Sequence, residues 1–188
     1  MRLLKVLSVV IMASTCVWAS TVTIDFNTLG GNNGDPFSSY TENGFTVTNH
    51  AGAWVVGQNF GNPVPDVYCP DCGPGVLEIT GGQFNFYSVD LGVALFPGIP
   101  YSVIGYLNGV QVYNQTGIDN GNPGTFSTFF SNDNAAVMDD LFISIDTTGN
   151  DGNVDNIVLN NAVPEPGTML MLGSGLLTGL GLLRRNIF

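Results

Sequence analysis

Ser102-Val103-Ile104-Gly105-Tyr106-Leu107 and Val110-Gln111-Val112-Tyr113 stand on either side of Asn108-Gly109. A tight type I′ turn needs positive φ at both central residues, which asparagine and glycine supply with least strain, so the stretch is predicted to be a two-strand hairpin. Outward from it the same pattern recurs. Val22, Ile24 and Phe26, and again Leu141, Ile143 and Ile145, alternate with polar residues, the mark of strands with one buried and one wet face. Further strand-like runs cover 44–48, 53–56, 76–80, 83–91, 125–130 and 153–159, with Gly, Asn, Asp and Pro between them. Helical periodicity is nearly absent between Thr21 and Asn161. Nineteen asparagines between Ser20 and Val163 suit the many turns, because asparagine tolerates the left-handed region. The pattern predicts an all-β, antiparallel sandwich or barrel. Gly57 to Gly75, with four prolines, is expected to be a long loop and the one large enough to shape a site.

Charge is distributed unevenly. The four Lys and Arg residues occupy positions 2, 5, 184 and 185, so Ser20–Val163 has none, while all of the fifteen acids except Glu165 lie within it. A surface of that kind repels nucleic acid and anionic lipid, which need cationic side chains for affinity, and nucleic-acid binding is excluded. Carboxylates that cluster in such a fold must be separated, protonated or neutralised by a metal. For oxygen ligands outside a cell that metal is calcium. Disorder is excluded by the recurrent Phe, Tyr, Val and Ile in alternating runs.

Arg2 and Lys5, an apolar run from Val6 to Ala13 and the small-residue site at Val17-Trp18-Ala19 form a secretory signal peptide over 1–19. The apolar run is far shorter than the roughly 20 residues that cross a bilayer. Once Cys16 leaves with that segment, Cys69 and Cys72 remain, and an oxidising compartment favours a disulfide between them. The 20–162 segment is the predicted acidic β-domain. The tail, 163–188, reads Pro164-Glu165-Pro166, then an uncharged helix over 169–183, then Arg184-Arg185. Fifteen helical residues rise roughly 22 Å, short for a hydrocarbon core of about 30 Å, so flanking residues and local thinning make up the difference. The arginine pair holds the cytoplasmic side, which leaves the preceding domain outside. Two prolines lack backbone donors and keep the tripeptide extended, outside the helix behind it.

This three-part tail resembles the PEP-CTERM sorting signal, with Pro164, Glu165 and Pro166 on its core tripeptide and Arg184 and Arg185 on its basic end. The resemblance implies an exosortase-type membrane enzyme as partner, with cleavage near the tripeptide. It implies membrane anchoring through the C-terminal helix before processing, and a Gram-negative host that makes extracellular polysaccharide. The order of strands in the body is similar to the jelly-roll domains of carbohydrate-binding modules and galactose-binding-like proteins, on Ile24-Asp25-Phe26 at the start and Val154-Asp155-Asn156-Ile157 at the end. That likeness implies a structural calcium shared by Asp25 and Asp155. Asp151, Asn153 and Asp155 also match the opening ligands of an EF-hand loop, but Asn156 and Ala162 stand where glycine and a bidentate glutamate belong, which leaves Asp151 as a contributor to a looser site.

No nucleophile with a base is present, and His50 is the single histidine, expected at the surface in a loop. Fourteen acids leave carboxylate pairs for glycoside hydrolysis, but spacing singles none out. No catalytic residue is assigned. The aromatic residues Trp54, Tyr68, Tyr87, Tyr106 and Tyr113 could face sugar rings, with Trp54 read as core. The function expected from sequence is therefore an exported, matrix-associated structural protein at the cell surface. A calcium-supported carbohydrate-binding module is the alternative, and a secreted glycoside hydrolase the third. Calcium is expected to raise the melting temperature of the purified protein, and identical melting curves with and without chelator would remove the metal. Intact mass of protein recovered from its host is expected to end near Pro166, whereas retained Arg184 and Arg185 would mark an uncleaved anchor.

Overall fold

The computed structural model describes residues 20–61 and 63–161. The signal peptide over 1–19 and the sorting segment over 163–188, with its helix, lie outside the described residues. Eleven strands form within them: β1 (Thr21–Ile24), β2 (Ser39–Glu42), β3 (Phe45–Ala51), β4 (Val55–Gly57), β5 (Asp66–Pro70), β6 (Pro74–Val93), β7 (Ile99–Leu107), β8 (Val110–Asp119), β9 (Thr125–Phe130), β10 (Val137–Asp146) and β11 (Asp151–Asn161). Every pairing among them is antiparallel, as the alternation predicts.

The strands make two layers joined by β6. Its first part, through Thr80, pairs with β3 and β10, giving a front layer in the order β2-β3-β6-β10-β7-β8. Its second part pairs with β9 on one side and β11 on the other, and β11 carries β1 and the β5-β4 pair along its far edge. The crossing falls at Gly81 and Gly82, both with positive φ. A Cβ on Gly81 would come within 2.6 Å of Gly44 O and 2.8 Å of Phe45 Cα, so the chain can bend there only without a side chain. Between the layers Phe45 meets Phe84 edge-on at 5.4 Å, Phe86 meets Tyr113 at 5.8 Å, and Tyr101 meets Phe129 at 4.5 Å. Leu77, Ile79, Leu141, Ile143, Val154, Ile157 and Leu159, all at 0% exposure, complete a closed apolar core.

The predicted hairpin is present: Leu107 pairs with Val110 across Asn108 (φ 52°) and Gly109 (φ 76°). Two expectations need correction. The 57–75 segment is not one loop, because β5 lies inside it: Val67 and Cys69 are fully buried, and its backbone pairs with β4 and β11. The prolines that argued for a loop sit beside the paired stretch or at its last residue. The two runs at 76–80 and 83–91 are one strand, since the Gly81-Gly82 bend turns the chain without ending it. Cys69 and Cys72 are joined by a disulfide, with Cα atoms 5.6 Å apart.

On the outward face of the back layer Asp155 stands opposite Asp90 in register, and Asp66 is close enough to feel the charge of Asp155. Like charges on neighbouring strands oppose folding, and all three acids are buried. Amides and hydroxyls take the place of cations. Asn153 Nδ2 donates to Asp66 Oδ2 at 2.5 Å, Asn156 Nδ2 and Thr128 Oγ1 donate to Asp90 at 3.0 and 2.6 Å, and the Asn156 N–H donates to Asp155 Oδ1 at 2.8 Å. Asp66 Oδ1 is buried with no donor. Burial pushes Asp66 up to about 8, and Asp155 adds to the rise against the lowering effect of Asn153. The unfolded chain releases that proton near pH 4 while the fold retains it to about 8. Stability is therefore greatest below about pH 4 for this group and falls as pH rises through that window, at roughly 1.4 kcal/mol per pH unit. Asp66→Asn is expected to flatten the decline of melting temperature across the window. A slope equal to that of the unmodified protein would show that Asp66 ionises freely in the fold.

Candidate functional site

The outward face of the front layer is set by register. Thr48 pairs with Glu78, Glu78 with Phe142, Phe142 with Ile104 and Ile104 with Asn114, a row that runs across β3, β6, β10, β7 and β8. On one side of it Thr46, Thr80, Asp140 and Tyr106 form a parallel row. On the other side lies Val76-Ser144-Ser102-Thr116. Strands about 4.8 Å apart make this face roughly 19 Å wide. Its inward neighbours Leu141, Ile143, Leu77, Ile79 and Val103 are core, so period-two alternation leaves these rows outside.

A cleft of about 600 Å³ lies on this face, lined among others by His50, Ser102, Ile104, Tyr106, Asp140 and Phe142. Phe142 is its centre. His50 meets its ring edge-on at 5.1 Å and Tyr106 at 5.7 Å, the geometry that a ring quadrupole favours. His50 does not sit in a loop as expected: it is the extra residue in a β3 bulge, between Asn49 opposite Leu77 and Ala51 opposite Val76. A bulge re-aims a side chain, and here it places the imidazole over the sheet with Nδ1 3.4 Å from Glu78 Oε2. Asp140 Oδ1 is buried without a partner, and desolvation first, then the charges of Glu78 and Asp139, push its carboxyl above the usual range while His50 acts against them.

The other aromatic candidates separate. Trp54 is core at 1% exposure, its Nε1 donating to Ala51 O at 3.0 Å, and Tyr113 is likewise buried. Tyr87 lies in the back layer, edge-on to Phe130. Tyr68, with Asn33, Asn59, Phe60, Asp151 and Asn153, lines a second cleft of about 330 Å³. Phe60 reaches over that back face and stacks on Phe126 at 4.8 Å. Phe142 itself, with Glu78 and Asp140, escaped the sequence reading. The signal was an aromatic residue on the wet side of the alternating run Asp140-Leu141-Phe142-Ile143-Ser144.

Of the residues expected to hold calcium, Asp25 follows Ile24, which pairs with Ile157 of β11, and Asp151 and Asp155 lie on β11 itself. The Asp25 N–H donates to Glu42 Oε2 and Asp25 Oδ1 accepts from the Asn27 N–H, Asp155 is buried in the row beside Asp90, and Asp151 lines the second cleft. Among the described residues no group of three or more His, Cys, Asp or Glu side chains is arranged to hold a metal ion. The sorting residues Pro164, Glu165, Pro166, Arg184 and Arg185 lie outside the described residues.

Several solved structures resemble the body in fold. A family 29 carbohydrate-binding module from Piromyces equi matches 78% of this chain and 93% of its own at 13% identity, with a TM-score of 0.46. A DUF4465 family protein from Bacteroides caccae matches 74% and 98% at 11% identity and a TM-score of 0.49. The K1 cleaved adhesin domain of Lys-gingipain from Porphyromonas gingivalis matches 77% and 99% at 12% identity and a TM-score of 0.45. No curated protein matches the chain. Residues 162–185 match the PEP-CTERM protein-sorting motif, so the chain carries the signal of an exported protein that is anchored in the membrane before an exosortase acts on it.

Proposed function

We propose that this is a surface-displayed glycan-binding domain, exported under its sorting signal and engaged with extracellular polysaccharide through the open face of the front layer. The observation that carries the reading is Phe142, an aromatic ring on the wet side of a central strand, braced by His50 and Tyr106, with Ser102 and Ser144 lining the same cleft. A sugar ring presents a flat apolar face with a polar rim, and this arrangement presents its complement. A five-strand width of roughly 19 Å accommodates several sugar units in a row. Binding rather than bond cleavage is the role this reading assigns to the face. A Gram-negative cell surface is the proposed location. Calcium held by Asp25, Asp151 or Asp155 is no part of this proposal, because none of the three lies in the cleft.

Glycan-array screening of the full chain purified in detergent is expected to return a selective set of ligands. Phe142→Ala and Tyr106→Ala are each expected to weaken the best of them about tenfold, or about 1.4 kcal/mol. A blank array, or ligands retained in full by both variants, would leave a matrix protein without a sugar site on this face.

A further inference from the structure

The open face is acidic as well as aromatic, and its acids are concentrated beside the ring. Glu78 is the direct cross-strand neighbour of Phe142, and Asp140 lies two residues before it on the same side of β10. Asp139 is near enough to raise the carboxyl of Asp140, and its own oxygens accept from the Asn108 N–H at 3.1 and 3.2 Å. Among the described residues the one basic side chain is His50, 52% exposed, which carries charge only when protonated. No Lys or Arg occurs anywhere in Ser20–Val163. Asp140 is one of the residues that line the cleft.

Resting on the glycan-binding reading of this face, we infer that its ligand is a cationic aminoglycan, a polysaccharide carrying free hexosamine ammonium groups, held by its sugar faces on Phe142 and by its ammonium groups on Asp140 and Glu78. The charge argument works in both directions. A polyuronate or sulfated glycan would bring anions to a face that has three carboxylates and no fixed cation, at a distance where repulsion is barely screened. A neutral glycan would supply hydroxyl donors but leave the charges of Asp140 and Glu78 uncompensated. An ammonium offsets the repulsion between Asp140 and Glu78 and makes charge-assisted hydrogen bonds to their exposed oxygens. The ring adds attraction for a cation over its face. Repetition of the charge along the polymer turns weak single contacts into avidity.

The test uses one sugar backbone with three substituents. Affinities of the full chain in detergent are measured at mildly acidic pH for β-1,4-linked oligosaccharides of equal length whose second carbon carries hydroxyl, N-acetyl or free amine, together with a polyuronate. The free-amine oligosaccharide is expected to bind about tenfold tighter than the hydroxyl form. That preference should shrink as salt is raised, and the polyuronate should not bind. Asp140→Asn and Glu78→Gln are each expected to reduce the ratio between amine and hydroxyl forms. Asp133→Asn, a carboxylate outside the cleft, is expected to leave the ratio in place. Equal affinity for the hydroxyl, N-acetyl and amine forms would overturn the charge selection while the glycan face stands. An amine preference that survives Phe142→Ala and falls as much with Asp133→Asn as with Asp140→Asn would reduce it to general attraction between a polycation and an acidic protein. Absence of binding to every oligosaccharide would overturn the glycan reading along with it.

Discussion

Burying a carboxylate is expensive, and most proteins offset the expense with a lysine or arginine. The body of this chain has neither, yet Asp66, Asp90 and Asp155 are packed side by side beneath the surface. The fold therefore depends on neutral donors. Asn153, Asn156 and Thr128 supply them in the back layer, while the Asn108 N–H serves Asp139 at the hairpin and the Gly121 N–H serves Asp119. Asparagine thus has two tasks here. Asn43, Asn108 and Asn156 adopt positive φ, and Asn156 at the same time holds Asp90. Where donors run out, the proton itself remains, as at Asp66.

The two outward faces of the sandwich are treated differently. On the back, residues of the stretch after β4 lie over the sheet, with Phe60 stacked on Phe126, and the acids beneath are shut away from solvent. On the front nothing among the described residues covers β3, β6, β10 and β7 in the same manner, and Phe142, Tyr106 and His50 remain partly or fully exposed. The acids of the back layer are buried, whereas the row through Phe142 on the front is partly exposed.

Alternation of apolar and polar residues was enough to find β1 and β10, because each turns alternate residues toward the core. It failed for β2, whose Ser39-Tyr40-Thr41-Glu42 has no buried apolar set and is held at the edge by pairing to β3 alone. It failed for β5, where proline and cysteine chemistry masked the buried Val67 and Cys69. The site was less accessible still. That Phe142 is wet follows from its own strand, but its neighbours Glu78, His50 and Tyr106 are 64, 92 and 36 positions away in sequence, and only register brings them together. The same holds for the Asp66, Asp155 and Asp90 row. A sequence states which side of a strand a residue takes, while the partner strand is chosen by the packing of the whole.

The sorting tail follows directly on β11, a strand bonded to β6 along one side and to β1 and β5 along the other. A strand bonded on both sides can leave the body only if its ladders to β1, β5 and β6 are broken. Because β6 belongs to both layers, β10 with Phe142 is connected to β11 through a single intervening strand.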